Sequence, residues 1–356
     1  MKRRMLSTAL ALALTMAVLG YSAQEVRADA ALGSSHTMAI KDDGTLWAWG
    51  RNYYGKLGDG TDQDNFDAVF VMGDAAKTAV SGTFSLAIKT DGTLWAWGNN
   101  RFGQLGDGTN EDRNAPVMIM ENVEAVSAGG YHVLVLKDDG TLWAFGWNEY
   151  GQLGLGTEED GNTPARVMED VAAIAAGQAH SLALKTDGTL WGWGDNSLGQ
   201  LEAAPGEPVN VPIRIMEGVS AVSARGQHSI AITNDGGLWA WGRAYYGFAG
   251  ERVNVLEDAV KASAGKNHAA AILSDGTLWA WGSNLDAQLG TGGTEMVSGP
   301  VMVMDGAANI WAGDDYTIAE KEDGTLWIWG YNRDGIMLLD PAANYLQAVP
   351  VELGLN

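Results

Sequence analysis

The chain has 356 residues, no cysteine, 15 tryptophans, 48 glycines and a formal net charge of −22. The absence of cysteine excludes disulfides and thiolate chemistry, and the acidity argues against nucleic acid and anionic membranes, whose phosphates must be met by Lys and Arg. Glycine at about twice its usual share, with so many tryptophans, points to short strands joined by tight turns.

Lys2, Arg3 and Arg4 precede an uncharged apolar run over residues 5–19. That run is shorter than the ~20 residues of a membrane span. Small residues follow at Val26-Arg27-Ala28 and Ala28-Asp29-Ala30. Residues 1–30 therefore read as an export signal cleaved after Ala28 or Ala30, and the protein is expected outside the cytoplasm, extracellular or periplasmic. No later run is long enough to cross a membrane, so no membrane insertion is expected.

Residues 31–356 read as a single domain of seven repeats. The string DGTLWAWG starts at Asp43, Asp91 and Asp275, with variants at Asp139, Asp187, Asp235 and Asp323. A period of 40–48 residues implies a propeller, an array or a solenoid. Around Asp139 the unit reads as four strands, over 116–120, 123–127, 132–137 and 141–145, with an Asp-Gly hairpin between the last two. The expected fold is all-β: a closed seven-bladed β-propeller with four short antiparallel strands per blade. A β-solenoid is the alternative. Residues 348–354 align without gaps to 300–306. The C-terminal strand is therefore expected to complete the first blade and hide its edge.

The recurring pattern is a Gly, a His, an apolar strand ending in Lys, then D-G-x-L-W-x-W-G and N-x-x-G-Q-L-G-x-G. Asn100 with Gly103-Gln104-Leu105-Gly106-Asp107-Gly108 shows its last part. Over 31–356 it resembles the repeats of the regulator of chromosome condensation family, and the resemblance implies a seven-bladed propeller. It extends to secreted seven-bladed β-lactamase inhibitor proteins, which bind an enzyme through loops on one propeller face. The pattern departs in the C-terminal half. Gly199-Gln200-Leu201 runs into Glu202, the fifth unit is shorter, Ala287 stands where Gly is expected, and the seventh unit reads Gly335-Ile336-Met337.

His36, His132, His180, His228 and His268 each lie seven residues before a repeat Asp, where the other two units carry Phe84 and Tyr316. Phe and Tyr replace a packing group, not a zinc ligand, so no metal site and no cofactor are expected. The paired tryptophans, such as Trp191 and Trp193, read as core. Trp147 and Trp311 fall outside the pattern and are candidates for stacking on carbohydrate.

Strand parity sorts the connections onto two faces. One face collects the Asp-Gly turns and the turns at Glu121, Glu169 and Glu217. The other collects the variable residues Tyr53, Tyr54, Arg101, Phe102, Tyr131, Glu149, Tyr150, Tyr245, Tyr246 and Arg333. Tyr and Arg are typical interface anchors, although such rings also wedge between blades. The expected function is a secreted, non-enzymatic, monomeric protein-binding scaffold, with enzyme inhibition as one form of it. The alternative is an extracellular polysaccharide hydrolase or lyase with its site in the axial funnel. Arg225, Asp314 and Asp315 are the repeat-breaking residues available for that chemistry.

Overall fold

The D-G-T-L-W string builds its own hairpin. Asp139 Oδ1 accepts the Thr141 N–H at 2.9 Å and the Thr141 hydroxyl at 2.6 Å, and Thr141 Oγ1 accepts Trp143 Nε1–H at 2.9 Å. The same relay recurs at Asp43, Asp91, Asp187, Asp275 and Asp323. In the fifth unit Gly237 replaces the threonine, and Thr233 donates to Asp235 instead. These bonds hold each turn carboxyl below the usual carboxylate range. The acidic turns are thus structural.

The computed structural model describes residues 30–41, 43–201, 205–243, 252–332 and 345–352. They form seven four-stranded antiparallel sheets and one short 3-10 turn. Blade 3 is representative: an inner strand Val123–Ala128, then His132–Lys137, Leu142–Gly146 and an outer strand Gly161–Met168. Inner strands of successive blades lie against one another around the axis. The blades span residues 30–72, 75–120, 123–168, 171–216, 219–256, 259–304 and 307–352.

Two expectations need correction. The C-terminal strand does not complete blade 1. Tyr345–Glu352 pairs with Leu326–Asn332 in blade 7, and Ala30–Leu32 supplies the inner strand of blade 1. The reason is a shift of one strand in the blade boundary. The strand taken as first in each unit is the outer strand of the preceding blade, as Leu94 pairs with Met120. The tight connection at Glu121-Asn122, which resembles a hairpin, crosses between blades with Asn122 at φ 60°. The long segment 147–160 stays inside its blade. Strand parity is unchanged by this shift, so the two-face sorting holds.

The core lies between blades. Leu134 and Leu136 of blade 3 pack with Ile174, Ala183 and Trp193 of blade 4. The second tryptophan of a pair, as at Trp97, Trp193 and Trp329, is fully buried, although Trp281 is only partly so. The first is only half-buried, as at Trp47, where Lys41 Nζ sits 3.7 Å from the ring centroid. Trp311 is buried on its inner strand, so the stacking role considered for it is ruled out.

The histidines join blades. His132 Nε2 lies 3.0 Å from Ser181 Oγ in the next blade, and that hydroxyl donates to the Gln152 carbonyl at 2.7 Å. A hydroxyl has one proton, so Nε2 is the donor to Ser181. Equivalent relays join His36 to Ser85, His180 to Ser229 and His268 to Thr317. At the ring seam Tyr316 reaches back to the Gly33 carbonyl at 3.3 Å. Burial lowers His132, His180 and His268 to about 3, and His228 to about 4, so all stay neutral at pH 7. Among the described residues, no three His, Cys, Asp or Glu side chains converge on a metal-sized point.

Candidate interaction face

The long loops carry two kinds of residue. In blade 3, Asn148 Oδ1 accepts the Leu153 N–H at 2.8 Å while Nδ2 donates to the carbonyls of Thr157 and Glu159. Gln152 Oε1 accepts the Tyr150 N–H at 3.0 Å. Asn148, Gln152 and Leu153 are fully buried. Gly151, at φ 71°, lies so close to blade 4 that a Cβ would fall 2.4 Å from Asn210 Cβ. The N-x-x-G-Q-L-G motif is therefore a wedge between blades, and its glycines permit the close approach.

The wedge thrusts the two residues before its glycine outward. Tyr53 and Tyr54 are 58% and 50% exposed. Arg101 and Glu149 are exposed, while Phe102 and Tyr150 are half-buried. Phe102 and Tyr150 belong to a cluster of four rings drawn from blades 2 and 3. Phe102 meets Tyr131 edge-on at 5.4 Å between centroids and Trp147 at 6.0 Å; Trp147 meets Tyr131 at 6.2 Å and Tyr150 at 5.3 Å. Arg101 lies over Phe102. Such edge-to-face contacts preorganise the rings. Trp147, set apart in the sequence as a separate candidate, is the ring that joins the others. Tyr245, Tyr246 and Arg333 lie outside the described residues.

Blade 1 departs from the wedge pattern. Lys56 stands where four other units have Gln, is 2% exposed, and donates to Ser35 Oγ at 2.6 Å and to the Gly82 carbonyl at 3.0 Å. Burial lowers its ammonium to about 8. A lysine offers no acceptor to the residue two before it, and Tyr54 adopts a left-handed φ of 69°.

At the axial mouth on the same face, Arg225 of blade 5 donates to Asp314 of blade 7 at 3.0 Å through Nε and at 2.8 Å through Nη2. The Asp315 carbonyl accepts the Tyr331 N–H. The three repeat-breaking residues thus meet near the axis, with Asp314 engaged in an ion pair. Beside them the inner turns of blades 4, 5 and 6 enclose a small polar cavity that sequence reasoning passed over. Lone amides and a lysine at turn positions form no motif. Their departure from Gly130 and Gly226 at equivalent positions is the signal that would have found them.

A model of the RCC1-like domain matches residues 13–303. Human WBSCR16 superposes with a TM-score of 0.72 at 23% identity, over 82% of this chain and 85% of that one. Yeast RCC1 (Prp20), solved bound to Kap60, gives 0.71 at 20% identity over 83% and 81%. Prp20p of Saccharomyces cerevisiae, described with its binding to Gsp1p and histones, gives 0.69 at 21% over 83% and 83%. At these identities the likeness concerns the fold. No curated protein matches the chain. The repeat pattern, the seven described blades and the extent of the family match agree: the chain belongs to the RCC1-like domain family.

Proposed function

We propose that the protein is an exported, non-enzymatic scaffold whose protein partner docks on the long-loop face, around Phe102, Tyr131, Trp147 and Tyr150. The observation that carries this reading is the four-ring cluster itself. Rings supplied by two blades touch one another at the surface, above loops whose structural needs are met by other residues. Interface anchors are enriched in such side chains, and each contributes ~2 kcal/mol or more to a complex. The protein partners of Prp20 lend support, since they belong to a propeller of this fold. Inhibition of a partner enzyme is a narrower form of the same reading.

Export through residues 1–30 is part of the proposal. Ala30 pairs with Ala39 in the inner strand of blade 1, so cleavage after Ala28 leaves that strand whole. The polysaccharide-cleaving alternative draws less support. Its acid or base at Asp314 is held by Arg225, and a general acid must be able to give up a proton at the substrate.

The test is photo-crosslinking of partners from culture fluid by three proteins: wild type, Tyr131→Ala with Trp147→Ala, and Asp138→Lys with Glu169→Lys. The aromatic changes are expected to weaken capture at least tenfold, and the turn reversals to alter mainly salt dependence and association rate. The opposite pattern would place binding on the other face.

A further inference from the structure

The cavity at the axial mouth stands out by its charge. It is about 130 Å³ and is lined by Gln178, Gly226, Gln227, Arg243, Lys266 and Asn267. Two cations and three carboxamides face it, with no carboxylate, in a chain of net charge −22.

Its walls are held by backbone. The Gln178 N–H donates to the Gly226 carbonyl at 2.7 Å, which fixes the blade 4 turn on the blade 5 turn. The Lys266 N–H donates to the Gly313 carbonyl at 3.1 Å, which fixes blade 6 on blade 7. Arg243 Nη1 donates to Gln227 Oε1 at 3.0 Å. That bond turns the Gln227 amide so that its NH₂ is the end left to donate. The side chains of Gln178, Lys266 and Asn267 make no hydrogen bond to other described residues. The nearby Arg225 and Asp314 neutralise each other. The cavity is thus an open polar concavity, lined by two exposed cations and three carboxamides, with room for a carboxylate on a short aliphatic stem.

We propose that this cavity binds a carboxylate, clamped by Lys266 and Arg243 and oriented by the carboxamides. Charge-assisted hydrogen bonds are the strong ones, and a planar guanidinium matches a carboxylate's two oxygens. The carboxylate comes either from an acidic side chain of a docked polypeptide or from a free small dicarboxylate. The inference goes beyond aromatic docking and does not depend on it.

The test is calorimetric titration of the full chain at low ionic strength, where charge is least screened. The probes are glutarate, N-acetylglutamate methylamide and N-acetylglutamine methylamide. Saturable millimolar binding is expected for both carboxylates and not for the glutamine analogue. Lys266→Gln and Arg243→Gln should each weaken it at least fivefold. Arg214→Gln, which removes the same charge from an outer strand of blade 4, should leave it unchanged. N-acetylglutamate methylamide binding at least as tightly as glutarate assigns the carboxylate to a polypeptide; glutarate binding tenfold tighter assigns it to a free dicarboxylate. No saturable heat with either carboxylate overturns the proposal, as does equal weakening by Arg214→Gln. Neither result bears on capture by the aromatic cluster, so the two readings fail separately.

Discussion

The two faces of the ring solve the same problem in different ways. On the Asp-Gly face the exposed turn itself holds the structure. Asp, Thr and Trp are tied in one relay, and a substitution there removes a bond. On the long-loop face the structural bonds lie beneath the surface, in Asn148, Gln152 and their equivalents, and the residues above them differ from blade to blade. A face can diversify only where its hydrogen bonds are satisfied by side chains it does not expose. That difference leaves the long-loop face the freer of the two to vary its exposed residues.

Acid separates the faces most strongly. The histidines stand beside the inner turns, at the long-loop end. Each is depressed in the folded state, so the unfolded chain binds more protons and stability falls as pH drops below about 6.5. At pH 5 each of His132, His180, His228 and His268 loses roughly 2 kcal/mol, and His36, likewise held neutral by burial, adds to the loss. The turn aspartates are depressed as well, but their contribution fades only below the ordinary Asp range, near 3.8. Urea midpoints should therefore fall steeply between pH 6.5 and 4.5, with an uptake approaching five protons on unfolding. A flat profile from pH 7 to 5 would show that the histidines are not buried and neutral.

Within one loop, the buried and surface halves should respond differently to the same added methyl group. Gly151→Ala drives a Cβ into the Asn210 backbone at 2.5 Å and should cost about 3 kcal/mol or more. Gly156→Ala has a similar φ of 78° but meets nothing nearer than Val211 Cγ1 at 3.7 Å, and should cost about 1 kcal/mol. Equal losses in chemical denaturation would contradict the wedge.

Lys56→Gln sharpens the contrast from the other side by restoring the wedge residue of four other units. The depressed ammonium costs about 3 kcal/mol at pH 7, and with the bonds to Ser35 and Gly82 lost, each contributing about 0.5–1 kcal/mol, the substitution should stabilise the protein by about 2 kcal/mol. The folded-state ammonium titrates at about 8, below its ordinary 10.5, so wild-type stability rises with pH across that window. The advantage of the substitution should shrink between pH 8 and 10.5. A difference constant with pH would mean that Lys56 is not held by burial.

Much of the fold was legible because the repeat is local. Asp139, Thr141 and Trp143 form their hairpin within five residues, and seven copies count the blades. The blade boundary was not legible. Glu121-Asn122 is as short as a hairpin turn, and the difference lies in where the chain goes next, a tertiary choice. The ends misled for the same reason: a match of 348–354 to 300–306 identifies an outer strand but not which sheet receives it. The face of the candidate site follows from strand parity alone, and Phe102, Tyr131 and Tyr150 were legible on it. Their joining through Trp147 was not, because Phe102 meets Tyr131 and Trp147 only when blades 2 and 3 are set at their ring angle.

Blade 1 holds its own inner strand, and blade 7 its own outer strand, so no strand waits for the far end of the chain. Each sheet can form as soon as its four strands have left the ribosome or crossed a membrane, with its packing against the preceding blade and few contacts, such as Arg225 to Asp314, reaching further. Assembly can then proceed as a growing arc, one unit at a time. Its last event is the meeting of two finished edges at Tyr316 and Gly33.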